Sequence, residues 1–312
     1  MEYIEYTQKY DKQLIELWNQ ELFFDAINLE IFQQKALFDD NFDSQLCMMA
    51  IDNNKLVGFI MATKRKFPYL ERGLEPERAW INVMFVDKKY QNQGIGEKLY
   101  KEIEEKLKQK GTKEITLAAY SPNYFFGGVD VVNYPIAKKF FEKMGFENKG
   151  THYSMGRDLH GFHLSDNMVE KYNNLLKKGY QFVEFEYSYS LELLDFLKKE
   201  FGGGWKRNAL IAMQKRTAPD VIILVLDPEG KICGFSMSAI DGNPMRFGPI
   251  GISERRRNEG IGSVLLNYSL YHMAKRGIYR MYFMTTDEPG KRYYERNGLS
   301  VIRTLCEYRK KL

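Results

Sequence analysis

The chain has 312 residues, 44% hydrophobic and 28% charged, too long for one ordinary core and too apolar to leave much of its length disordered. Its 46 Lys and Arg against 41 Asp and Glu give a net charge of only +5. The charges are interleaved along amphipathic segments, a pattern that argues against a nucleic acid partner.

Met1 to Tyr10 alternates charges with aromatics and has no apolar run of the secretory kind. The apolar run Val221 to Leu226, which no other exceeds, has the length of a strand and cannot cross a bilayer. A cytoplasmic protein without a membrane partner is expected. Cys47, Cys233 and Cys306 are odd in number and widely spaced, as reduced structural thiols are. His152, His160, His163 and His272 share no ligand spacing with Cys or Asp, so no metal is expected.

Taken in chain order, a first strand and two helices lead to a hairpin, in which Leu56-Val57-Gly58-Phe59 follows the turn cluster Asp52-Asn53-Asn54. A strand from Ala79 to Val86 then runs into Gln91-Asn92-Gln93-Gly94-Ile95-Gly96. There an amphipathic helix opens, with Ile95, Leu99, Ile103 and Leu107 on one face and a stop at Gly111. A strand from Glu114 to Ala119 and a helix from Pro135 to Met144, ending at Gly145, complete the half.

The same order recurs. Asp227-Pro228-Glu229-Gly230 precedes Ile232-Cys233-Gly234-Phe235, a strand covers Met245 to Ile252, and Arg257-Asn258-Glu259-Gly260-Ile261-Gly262 opens a helix that stops at Gly277. Gly260 follows Gly94 by 166 residues, and the interval from second motif glycine to stop glycine is 15 residues in both halves. A strand from Tyr279 to Thr285 and a helix from Pro289 to Asn297, ending at Gly298, follow. The chain is therefore an internal repeat: a domain over 1–160, a helical linker over 161–178 and a second domain over 179–312. Each is a mixed, mostly antiparallel sheet flanked by helices, α+β within the broad α/β class.

Glycines at a helix start leave backbone amides free to face an anion, and the helix dipole favours negative charge there. The pattern is not that of a nucleoside triphosphate loop, and the acidic residue of a dinucleotide fold is missing. Two copies of Q/R-x-x-G-x-G, each between a strand and an amphipathic helix, resemble the motif of the GNAT superfamily of acyl-CoA N-acyltransferases over nearly the whole chain.

That resemblance implies acetyl-CoA as acyl donor and an amine of a small molecule or peptide as acceptor. It implies that Gln91, Asn92, Gln93, Gly94, Ile95, Gly96 and Glu97, and likewise Arg257, Asn258, Glu259, Gly260, Ile261, Gly262 and Ser263, hold the CoA pyrophosphate. Met84, Phe85 and Val86, with Ile250, Gly251 and Ile252, would line the pantetheine arm. It also implies a proton donor four residues before the glycine that ends the last helix, which is Tyr294 here; the first half has Phe141, so chemistry is expected in the second. Tyr294 and Phe141 are equally readable as packing residues, and Tyr293 stands beside Tyr294. No Asp or Glu lies within Met245 to Ile252 to act as base, which keeps a non-catalytic acyl-CoA-binding protein as the alternative. A monomer and a homodimer both fit.

Four further features of the sequence bear on the site. The first half has extra residues at Ser121 to Tyr134, aromatic and glycine-rich, either a lid or a loop that packs its rings between the domains. Lys64, Arg65, Lys66 and Arg72 form a longer hairpin, readable as a solvated basic face. Arg255, Arg256 and Arg257 can reach phosphates or face solvent, and Trp205 can line a pocket or cover the sheet.

Overall fold

The structure is a computed structural model describing residues 1–312. Thirteen strands and ten α-helices alternate along the chain. The first half contains β1 (Glu2–Glu5), α1 (Asp11–Glu21), α2 (Leu29–Phe32), β2 (Cys47–Asp52), β3 (Lys55–Thr63), β4 (Arg78–Val86), α3 (Ile95–Gln109), β5 (Glu114–Leu117), β6 (Val129–Asp130), α4 (Pro135–Lys143) and β7 (Glu147–Asp158). The second contains α5 (Asp166–Lys177), β8 (Gln181–Glu184), α6 (Ser190–Phe201), α7 (Gly203–Gln214), α8 (Ala218–Val221), β9 (Ile222–Leu226), β10 (Ile232–Ser238), β11 (Phe247–Ile252), α9 (Ile261–Lys275), β12 (Arg280–Thr286), α10 (Glu288–Arg296) and β13 (Ser300–Lys311).

Two compact units divide the chain, the first made of two stretches and the second of one. The N-terminal unit is Met1–Tyr153 together with Arg303–Leu312; the C-terminal unit is Ser154–Ile302. Both β7 and β13 therefore begin in one unit and end in the other. The expected limits at 160, 161–178 and 179 take no account of this exchange.

In the N-terminal unit β1, β2, β3 and β4 pair antiparallel in chain order, β4 pairs β5 in parallel, and β5 pairs the end of β13 with Arg309 opposite Thr116. One face of this sheet is covered by α3 and α4, through Ile95, Leu99, Ile103, Leu107 and Phe141. The other is covered by Leu14, Leu17 and Trp18 of α1 and by Phe32. The helical spacing of the α3 residues is what makes one stripe of that helix apolar.

The C-terminal unit has β8, β9, β10 and β11 antiparallel in that order, with β12 joined to β11 by a single parallel bridge between Arg246 and Tyr282. Helices α6 and α7 cover one face, and α9 the other through Ile261, Val264 and Leu265. Helix α5, expected as a linker, packs onto the α9 side: Leu175 is buried there, and the Tyr172 ring stacks on Tyr268 at 5.6 Å. All three cysteines are free and buried. No helix is long and apolar enough to cross a membrane.

Candidate functional site

Each unit carries the same backbone device between its central strand and its long helix. In the N-terminal unit Asn92 has φ +59° and Gly94 φ +79°; in the C-terminal unit Asn258 has φ +68° and Gly260 φ +81°. Left-handed residues alternating with right-handed or extended ones turn successive amides into one concavity, an anion-binding nest. It opens directly onto the first turn of α3 and α9, whose unpaired amides add to it. A Cβ at Gly94 or Gly260 would meet nothing within 4 Å. Glycine is needed there for its positive φ, and the space before it is open.

The side chains around the two nests differ. Gln91 Nε2 donates to the Val86 carbonyl at 2.9 Å, tying the loop to the end of β4. At the second glycine of the motif, Gly96, a Cβ would lie 3.3 Å from Met84 Cε, 3.5 Å from the Phe140 ring and 3.7 Å from Val86. Met84, Val86 and Gly96 are thus brought together. Phe85 is turned to the opposite core, beside Trp18. Glu97 accepts from Lys101 at 2.7 Å and pairs with Lys143 at 3.3 Å, and these two ammonium groups hold its carboxyl below the usual range.

In the C-terminal unit a Cβ at Gly262 would lie 3.4 Å from Tyr293 Oη and 3.7 Å from Ile252. The Tyr293 phenol, pushed up to about 12 by burial, shares a hydrogen bond with Ser263. Tyr293 therefore reaches the first turn of α9, as Phe140 reaches that of α3. Tyr294 lies against Phe283 at 4.5 Å, and burial raises its phenol far above the ordinary value. Its counterpart Phe141 is part of the N-terminal core. Glu259 accepts from Tyr180 at 2.6 Å. Arg256 is engaged by Glu229 at 2.9 Å and Asp227 at 3.4 Å, whereas Arg255 and Arg257 are exposed beside the nest.

In both units the strand before the nest parts from its parallel neighbour. Strand β4 pairs with β5 from Arg78 to Ile81, and the last hydrogen bond runs from Ala118 N to the Ile81 carbonyl at 2.8 Å. The remaining residues of β4 have no partner on that side. Between β11 and β12 the separation begins at once beyond the Arg246 bridge. Such a wedge offers free strand amides and carbonyls to an extended ligand. On β11 one face is closed: a Cβ at Gly251 would stand 2.5 Å from the Phe201 ring and 3.1 Å from Trp205. Trp205, stacked on Phe201 at 4.7 Å, covers the sheet.

Two expectations about the first half change. Phe125 and Phe126 of the 121–134 insertion pack on Trp18, at 4.9 and 6.1 Å, within the N-terminal unit's own core. Arg65 is no solvated cation but 5% exposed, sandwiched among Trp80, Tyr120 and Tyr69 and paired with Glu75 at 3.2 Å. Nearby, Asp25 and Asp130 both bind Arg303 of β13, and Tyr134 donates to Asp25 at 2.7 Å. Spacing alone could not show this cluster, because Asp25 and Arg303 are 278 residues apart.

No group of three or more His, Cys, Asp or Glu gathers as metal ligands. The sequence model of the acetyltransferase (GNAT) family matches residues 5–146 and 190–299, most of the chain and one region in each half. No curated protein matches. Among solved structures, the GCN5-related glucosamine N-acetyltransferase region of a fungal multi-domain GH3 β-N-acetylglucosaminidase superposes with a TM-score of 0.79 at 17% identity. The match covers 99% of this chain but 38% of that one. A GCN5-related N-acetyltransferase from Sphaerobacter thermophilus gives 0.72 at 13% identity, covering 99% and 95%. A tandem GNAT protein from the clavulanic acid biosynthesis pathway gives 0.64 at 12%, covering 99% and 98%. At these identities the likeness is one of fold.

Proposed function

The chain belongs to the acetyltransferase (GNAT) family, and from that membership we propose that it moves an acetyl group from acetyl-CoA to the primary amine of a small molecule or peptide. The observation that carries this reading is the nest-and-wedge geometry: two left-handed positions and a helix start at one end, and an unpaired strand edge leading away from it. A pyrophosphate fits the first and an extended pantetheine arm the second. CoA would supply the thioester; the chain's own part is to fix the arm, orient the acyl carbonyl and return a proton to the sulfur.

In the C-terminal unit Arg257, Asn258, Glu259, Gly260, Ile261, Gly262 and Ser263 would hold the phosphates, with Ile250 to Ile252 along the arm. In the N-terminal unit the corresponding residues are Gln91, Asn92, Gln93, Gly94, Ile95, Gly96 and Glu97, with Met84 to Val86. Tyr294 would be the proton donor. Its phenol is protonated at neutral pH, as a donor must be, and no hydrogen bond in the unit engages its hydroxyl; the burial that raises it makes it a weaker acid until substrate binds beside it. Phe141 has no proton to give, which favours chemistry in the C-terminal unit. An amino sugar is a fitting first acceptor to screen, because the fungal region that shares the fold is a glucosamine N-acetyltransferase.

The test is calorimetric titration of acetyl-CoA into the unmodified chain and into Gly94→Glu and Gly260→Glu. Each substitution brings a carboxylate and a strained φ into one nest, so each variant should bind one equivalent fewer. Absence of binding by the unmodified chain would refute the reading. For an accepted amine, Tyr294→Phe should lower kcat by about 100-fold with an unchanged KM for acetyl-CoA; a KM effect alone would assign Tyr294 to packing. A second reading, an acyl-CoA-binding protein without turnover, is favoured by the missing carboxylate on β11 and by the Phe201 and Trp205 rings over it. It predicts full binding and no product with any amine.

A further inference from the structure

The strand that borders the N-terminal wedge carries a polar residue, Asn82, at a place where β11 has none. Asn82 is the first residue of β4 beyond the last hydrogen bond to β5. It is also the extra residue of a β-bulge, since Met61 pairs with Val83 and Ala62 with Ile81. Bulges re-aim side chains and end pairing, and are over-represented beside active sites. Asn82 is 3% exposed, and neither Oδ1 nor Nδ2 has a hydrogen-bond partner. An unpaired buried amide costs about 1–3 kcal/mol, and one such group amid the apolar residues Ala79 to Val86 of a central strand asks for an explanation. The residue 166 positions on is Gly248, which has no side chain to offer.

The direction of the wedge says what would meet Asn82. The nest lies beyond the Val86 end of β4, so a CoA anchored there by its pyrophosphate extends its arm back along the strand, from Val86 towards Ile81. The thioester is at the far end of that arm and arrives where the wedge closes. We propose that Asn82 hydrogen-bonds the thioester end of an acyl-CoA bound in the N-terminal unit, giving this unit an acyl-donor contact with no equivalent in the other. The Asn82 amide N–H donates to the acyl carbonyl, and no bond is made or broken. The inference rests on the reading of the nests as CoA sites.

The experiment titrates acetyl-CoA and, separately, CoA into the full chain carrying Gly260→Glu, which leaves the N-terminal nest intact, with and without Asn82→Leu. The expected result is acetyl-CoA binding weakened about fivefold, CoA binding changed less than about twofold, and a melting temperature equal to or above that of the parent, because an unsatisfied amide has been removed. That combination, tighter folding with weaker acyl-donor binding, is not what a packing residue gives. Should Asn82→Leu fail to fold, Asn82→Ala serves for the same pair of titrations. Unchanged acetyl-CoA affinity overturns the proposal, and so does an equal loss for acetyl-CoA and CoA. Binding by the unmodified chain that disappears completely in Gly260→Glu overturns it too, while leaving the family-level reading standing.

Discussion

Arg256 and Arg257 are adjacent and chemically identical, yet their surroundings differ. Arg256 bridges Asp227 and Glu229, while Arg257 is exposed at the mouth of the nest without an ion-pair partner. A charge-assisted contact to phosphate contributes about 1.5–3 kcal/mol. On the proposed reading of the nests as CoA sites, Arg257→Ala should weaken acetyl-CoA binding about tenfold in the Gly94→Glu chain, where only the second nest remains. Arg256→Ala should leave that affinity within about twofold; calorimetry on the two variants separates the roles. Asp130 offers a test by pH. Burial would raise its carboxyl, but the Asn133 amide and Arg303 outweigh that and hold it below the ordinary value. A carboxyl depressed by folding contributes stability above its unfolded value, about 3.9, and loses it as pH falls through the folded one. Thermal melts should therefore fall as the pH is lowered from about 3.9 towards the depressed folded value. Asp130→Asn, costing about 2 kcal/mol at pH 7, should melt lower at neutral pH and lose less on acidification.

At the scale of elements, the two nests were readable from the chain because their requirements are local. A left-handed turn demands glycine, and the helix that follows announces itself by its apolar stripe. The wedge was only half readable. Period-two patterning identifies β4 and β11 as strands but does not say where a parallel neighbour stops pairing. Asn82 is hard to single out for the same reason, although Trp80-Ile81-Asn82-Val83-Met84 carries a signal: a single amide amid apolar residues on a central strand. Arg65 differs from expectation because a basic hairpin reads as solvated until the rings of Trp80, Tyr120 and Tyr69 are placed around it. The aromatic insertion likewise gave away its composition but not its destination, since the ring of Trp18 it meets comes from α1, far away in sequence.

At the scale of the whole molecule, the exchange of strand ends makes each unit depend on distant residues. Strand β5 has one neighbour in β4 and its other in β13, through Arg309, Lys310 and Lys311, and Asp25 and Asp130 meet their counter-charge in Arg303. Repeat logic would cut the chain into 1–160 and 179–312. We expect neither fragment to fold alone: the first lacks β13, leaving the β5 edge open and two aspartates uncompensated, and the second lacks α5 and the 154–158 end of β7. Far-ultraviolet circular dichroism and a cooperative melt would decide this. A fragment 1–160 that melts cooperatively would show that the terminal strand is dispensable. Supplying residues 303–312 after a flexible linker to 1–153 should restore the N-terminal unit.

The same strand imposes an order on synthesis. When Tyr153 has been added to the growing chain, the N-terminal unit already has its nest, its wedge and both its helical layers, yet its sheet ends at an open β5. The 149 residues of Ser154–Ile302 must be translated before the missing strand is made. At about 5–20 residues per second that interval is roughly 7 to 30 s. Throughout it, an exposed strand edge waits at the ribosome, the situation in which chaperones bind and neighbouring nascent chains pair wrongly. The half of the protein that is made first is thus finished last.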